Sequence, residues 1–173
     1  MDELKGTKIL ILVADGFEDL EFFYPLLRFT EAGAEVTVAG LRPGEVSGKH
    51  GMSYTPGDTV TEIIDEDFDC IVIPGGKAPA ELRKDDDVLA LVRRNLEKGV
   101  LIAAICHGPQ VLVSADAVEG RKLTAYREVK DEIVEAGGDF DYVEVMRDDN
   151  LITSRFPEDL PAFSKAIISA LAD

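Results

Sequence analysis

The sequence predicts one α/β domain over residues 1–173, built on a mostly parallel sheet, and three observations carry that prediction. Residues 8–14 (KILILVA) and 70–73 (CIVI) are continuous apolar, β-prone runs of the kind found in strands buried on both faces. Strand, helix and strand succeed one another within the first forty residues, which favours parallel pairing. A third apolar run, 100–105, ends abruptly in Cys106-His107-Gly108-Pro109 before Val111, Leu112 and Val113 resume the apolar pattern. That is a strand, a sharp turn and a helix, with a thiol at the apex.

Taken in order, the first strand breaks at Asp15-Gly16-Phe17-Glu18, and Leu20, Phe23, Leu27 and Thr30 then fall at helical spacing as the expected buried stripe. Pro25 must kink this helix or mark its true start. A second strand covers 35–39. Residues 42–60, punctuated by glycine and proline, read as a hairpin or an irregular excursion. The third strand, 70–73, delivers Pro74-Gly75-Gly76 at its end, where the backbone can approach a ligand closely. The spacing predicts a helix over 86–98, capped within Asp85-Asp86-Asp87 and burying Val88, Leu89, Leu91, Val92 and Leu96. Beyond the thiol turn come a short strand at 121–125, a helix at 129–136 stopped by Gly137-Gly138, strands at 142–146 and 151–154, and a final amphipathic helix opened by Asp159 and Pro161.

Composition narrows the function. With 34 acidic and 18 basic residues the formal charge is −16, which disfavours nucleic acid and anionic membrane surfaces as partners. The short charged start and the interruption of the first apolar run by Asp15 give neither a signal peptide nor a membrane span, so a cytoplasmic protein is expected. Two cysteines without metal-ligand spacing point to free thiols, with neither a disulfide framework nor a metal site.

Candidate chemistry gathers around Cys106. Ala104 and Gly108 flank it at the small-x-nucleophile-x-small spacing that lets a nucleophile elbow pass close to its neighbours. At a helix N-terminus the thiolate is favoured over the thiol. The chain has only two histidines, His50 and His107. Adjacent side chains at a tight turn often point apart, so the backbone N–H of His107 is the expected oxyanion donor, with Gly76 of the Gly75-Gly76 loop supplying the second. Glu18, at the mouth of the first strand, reads either as a first-turn glutamate complementing the helix dipole or as a buried carboxyl that faces Cys106 and shuttles a proton. His50 reads as a turn residue and Cys70 as core.

The motifs ADGFEDLE, GKHG, IVIPGGKAP, AICHGPQ, GRKLTAY and TSRFPEDL, in this order over nearly the whole chain, closely resemble the DJ-1/PfpI superfamily and its intracellular protease branch. The resemblance implies a flavodoxin-like α/β/α sandwich of the class I glutamine amidotransferase type, with no cofactor. It implies Cys106 as nucleophile, Glu18 hydrogen-bonded to it, an oxyanion site at Gly76 and the His107 backbone, Tyr126 near the pocket, and a homo-oligomer. Archaeal members carry a glutamate at the position of Ala80 that reaches the histidine of a neighbouring subunit; here that position is alanine. The expected activity is attack of Cys106 on a small reactive carbonyl, of glyoxalase or deglycase type. The alternatives are an intracellular cysteine peptidase acting on peptide substrates, and a redox sensor or chaperone in which Cys106 is oxidised.

Overall fold

A computed structural model describes residues 2–173. Its strands are β1 (Lys8–Leu12), β2 (Glu35–Gly40), β3 (Val46–Ser47), β4 (Ser53–Tyr54), β5 (Asp58–Thr59), β6 (Cys70–Ile73), β7 (Leu101–Ile105), β8 (Lys122–Leu123), β9 (Asp139–Phe140), β10 (Val145–Asp148) and β11 (Leu151–Ser154). The α-helices are α1 (Asp19–Glu31), α2 (Val60–Ile63), α3 (Ala78–Leu82), α4 (Asp86–Glu97), α5 (Pro109–Ser114), α6 (Lys130–Glu135) and α7 (Leu160–Ala172). Seven strands form one sheet in the order β10-β11-β7-β6-β1-β2-β5, and every pairing is parallel except β10 with β11. The three central strands are the apolar runs read from sequence, and nearly every side chain on them is buried because helices pack against the sheet.

From β1 the chain moves through α1 to β2 on one side, then crosses back so that β6 lies on the other side of β1. That reversal opens a crevice outside the carboxyl ends of β1 and β6, and β7 ends beside it. α1 packs on α7, whereas α4 packs on α2 and α5, and α5 on α3 and α6. No helix among the described residues is long and apolar enough to cross a membrane.

Two expectations need correction. The buried stripe of α1 is Glu21, Phe22, Pro25 and Phe29, not Leu20, Phe23, Leu27 and Thr30; Leu20 and Leu27 are 59% and 66% exposed. The helix is rotated about one residue from its expected setting because Glu18 caps it, so the first turn starts at Asp19. Pro25 lies inside the helix and neither starts nor ends it. The second correction concerns 78–82, which forms α3 although no helix is predicted there; Pro79 sits in its first turn, where a missing N–H costs nothing.

The excursion at 46–54 is a short hairpin fastened over the start of α1. The rings of Phe17, Phe22, Phe23 and Tyr54 meet at centroid separations of 4.9 to 6.1 Å. Buried Asp19 accepts hydrogen bonds from the backbone N–H groups of His50 (2.9 Å) and Met52 (3.0 Å). The hairpin and the N-terminus of α1 therefore form one unit at the edge of the crevice.

Candidate active site

Three strand ends build the site. β7 runs into Cys106, which takes a left-handed conformation (φ 64°) that non-glycine residues seldom adopt. The turn is held from two directions: Cys106 N–H donates to the Ser154 carbonyl at the end of β11 (3.0 Å), and the Cys106 carbonyl accepts from Tyr126 N–H (2.9 Å). Gly108 is obligatory for packing, since a Cβ there would stand 2.4 Å from the Ile73 carbonyl oxygen and 2.9 Å from that of Ile105. The close approach inferred from the spacing of small residues is therefore real.

Gly75 and Gly76 lie against this turn with different tasks. The backbone N–H groups of Gly76 and His107 both hydrogen-bond the Cys106 sulfur, so the expected pair of donors does converge at the thiol. Gly75 N–H is used otherwise, donating to Glu21 Oε1 at 2.9 Å. A Cβ at Gly75 would sit 2.5 Å from that oxygen and 2.8 Å from the Cys106 Cβ. Only glycine admits the carboxyl, the thiol and the loop into the same space.

The carboxyl beside the thiol is that of Glu21, which corrects the expected placement of Glu18. Glu18 accepts from the Glu21 N–H (3.1 Å) as the cap of α1, and its other oxygen lies 3.1 Å from His50 Nε2. His50, expected as a turn residue, does sit in the hairpin turn, 60% exposed, and holds Glu18 from the solvent side. Glu21, in the first turn of α1, points inward on the buried stripe and meets the Cys106 sulfur. Its Oε2 is buried with no nitrogen or oxygen partner. The missed signal was an acidic residue inside an apolar helical stripe, which is rare unless it is paired or functional.

Electrostatics follow from this burial. Glu21 is pushed up to about 8, chiefly by desolvation and then by the neighbouring Glu18 charge, against the pull of the Gly75 N–H. Burial also pushes the Cys106 thiol up, and an ionised Glu21 would push it further, while the His107 and Gly76 N–H groups pull it down. Thiol and carboxyl cannot both carry charge in this space, so they titrate as a pair. Near neutrality Glu21 keeps its proton beside the sulfur. The helix dipole contributes less than the sequence suggests, because α5 begins only at Pro109. Cys70 is a fully buried core thiol whose titration is also pushed up by desolvation.

His107 does face the thiol, contrary to the expectation for adjacent turn residues: Nδ1 stands 3.3 Å from Sγ. The left-handed setting of Cys106 folds the two side chains onto the same side of the turn. Burial holds the imidazole below its usual range, with an opposing pull from Glu128, whose Oε2 is 3.7 Å from Nε2. The Tyr126 ring lies beside the imidazole, centroids 5.1 Å apart. No signal in the sequence pointed to Glu128.

A separate cleft of about 590 Å³ is walled by Gly16, Leu41, Arg42, Lys77 and Ala80 and does not include Cys106. It contains no thiol or imidazole, so the chemistry belongs to the Cys106 crevice. Among the described residues no cluster of three or more His, Cys, Asp or Glu side chains is placed to hold a metal ion.

Comparisons with known proteins point to one family. The family model described as DJ-1/PfpI matches residues 7–170. A deglycase of Thermococcus kodakarensis is 42% identical over 164 residues, covering 95% of this chain and 99% of the relative. The deglycase PfpI of Pyrococcus furiosus is 40% identical over the same shares. A solved two-domain protein of Anabaena variabilis, with a DJ-1/ThiJ/PfpI-like and a ferritin-like domain, superposes at a TM-score of 0.93 and 40% identity. The match covers 95% of this chain, which spans about half (48%) of that longer protein.

Proposed function

Since the chain belongs to the DJ-1/PfpI family, we propose that it is a cofactor-independent enzyme in which Cys106 attacks small reactive carbonyls and their adducts, as a glyoxalase or deglycase. The observation that carries this reading is the convergence of a thiol, a protonatable carboxyl and two backbone N–H donors in one buried space. The names of the Thermococcus and Pyrococcus relatives support the same class of chemistry.

With an α-oxoaldehyde such as methylglyoxal, Cys106 sulfur bonds to the aldehyde carbon as its thiol proton passes to His107 Nδ1 and Glu21 gives its own proton to the carbonyl oxygen, leaving a hemithioacetal and a Glu21 carboxylate. The oxygen develops negative charge where the Gly76 and His107 N–H groups converge, and each such donor is worth about 3 kcal/mol of barrier in studied hydrolases. Glu21 then carries the proton from the former aldehyde carbon to the neighbouring carbon through an enediol. The aldehyde carbon is oxidised and the ketone carbon reduced within one molecule, so no external electron acceptor is required. The resulting thioester is opened by water, releasing lactate and the free thiol. When the aldehyde is supplied as an adduct on an amine or thiol, the amine or thiol departs first and the same steps follow.

The test is lactate formation from methylglyoxal without glutathione or added metal. Wild type should produce lactate, and Cys106→Ala should reduce the rate to background. Absence of lactate from reduced protein whose Cys106 still alkylates would overturn the reading. The 3.3 Å contact of His107 Nδ1 with the thiol also suits peptide hydrolysis through a thioester, and turnover of fluorogenic peptides decides that second reading. Self-association is a separate expectation, which a site assembled from one chain does not require.

A further inference from the structure

We propose that Glu128 is the positioning residue of His107, holding the imidazole with its Nε2–H toward Glu128 Oε2 and its Nδ1 lone pair toward the Cys106 thiol. The inference rests on the reading of Cys106 as nucleophile and adds to it an acid supplied from within the same chain.

The geometry is an ordered line. Sγ to Nδ1 is 3.3 Å, and across the ring Nε2 to Glu128 Oε2 is 3.7 Å. A neutral imidazole carries its proton on one nitrogen only, and a carboxylate standing beside one nitrogen favours the tautomer that places the proton there. A carboxylate on the Nε2 side therefore leaves Nδ1 free to accept the thiol proton, and it stabilises the imidazolium that results. Lys49 opposes this effect, its charge disfavouring imidazolium. Glu21 presents its carboxyl to the sulfur, so the groups acting on the His107–thiol pair are Glu21, Lys49 and Glu128.

Glu128 is held there by backbone connections. Tyr126 N–H donates to the Cys106 carbonyl, and Val129 N–H donates to the Tyr126 carbonyl, forming a one-turn 3-10 helix over Arg127–Val129. Val129 is buried beneath it. The segment bearing Glu128 is therefore fastened to the thiol turn itself, and the Tyr126 ring blocks rotation of the imidazole on one side. Ala80, by contrast, offers no carboxylate.

The experiment compares wild type with Glu128→Gln and Glu128→Asp. The nitrogen chemical shifts of His107 report the tautomer, and the rate of Cys106 alkylation by iodoacetamide between pH 5.5 and 9 reports thiolate formation, with buried Cys70 as the internal control. Wild type should show the Nε2–H tautomer. Glu128→Gln should mix the tautomers, shift the His107 titration to lower pH, and slow alkylation about fivefold, the scale of one exposed charge contact. Glu128→Asp should recover part of the loss. In lactate formation the loss should fall on kcat and leave KM unchanged. Unchanged tautomer and alkylation profile in Glu128→Gln would overturn the inference, as would a dependence on dilution instead of on Glu128, which would assign the role to a neighbouring copy. Shifts and alkylation are read without turnover, so failure of the carbonyl reaction is distinguishable from failure of this inference.

Discussion

Glu21 shows how much one buried carboxyl can govern. Its titration at about 8, against an ordinary value of 4.5, means that the folded protein binds a proton between those two pH values which the unfolded chain releases. Stability therefore falls as pH rises from about 4.5 to 8, at up to about 1.4 kcal/mol per pH unit. Denaturant unfolding at pH 5 and pH 8 should show a loss on the order of 3 kcal/mol in wild type, and a much smaller loss in Glu21→Gln, which has no charge to bury. Equal losses in the two proteins would contradict the assignment. The same substitution keeps a donor beside sulfur but removes the proton carrier, so lactate formation should drop by about 10²- to 10⁴-fold in kcat.

At the scale of elements, legibility followed the range of the interactions. The thiol turn was readable because its requirements are local: an apolar strand, small residues two positions either side, and proline to start the next helix. The Gly75-Gly76 loop was readable as a close approach, though not the division of labour within it. The facing of α1 was not, because Leu20, Phe22, Phe23, Leu26, Leu27 and Phe29 place apolar residues all round the helix and leave its phase ambiguous. What settles the phase is the Glu18 cap and the aromatic contacts to Tyr54, a residue from the distant hairpin. With the phase ambiguous, Glu21 is not marked as buried, and Glu18 is favoured by its place at the mouth of the first strand and by the resemblance. Glu128 was invisible for a related reason: it reaches His107 through a long-range hydrogen bond from Tyr126 to the thiol turn. The hairpin's dependence on Asp19 is testable. Asp19→Ala leaves the His50 and Met52 N–H groups without acceptors, and each orphaned donor costs about 1–3 kcal/mol if it stays buried. Amide exchange at these two positions should accelerate markedly while the β6 and β7 amides remain protected; unchanged exchange would show that the aromatic cluster alone holds the hairpin.

For the molecule as a whole, the charge of −16 is a cost spread over the surface. Part is offset by ion pairs that are partly shielded from solvent, such as Arg155 with Asp159 and Arg121 with Asp148, whereas pairs such as Lys98 with Asp67 lie in water and contribute little. Repulsion among excess carboxylates acts over longer distances than a contact pair, and the Debye length shrinks from about 30 Å at 0.01 M salt to about 10 Å at 0.1 M. Added salt should therefore remove more repulsion than attraction. The melting temperature should rise by a few degrees between 0.01 M and 0.3 M potassium chloride, since about 1 kcal/mol corresponds to roughly 2–4 °C for a chain of this length. The rise should be larger at pH 8 than at pH 5, where protonation of carboxylates has already reduced the net charge. A fall in melting temperature with salt would mean that the ion pairs outweigh the excess charge.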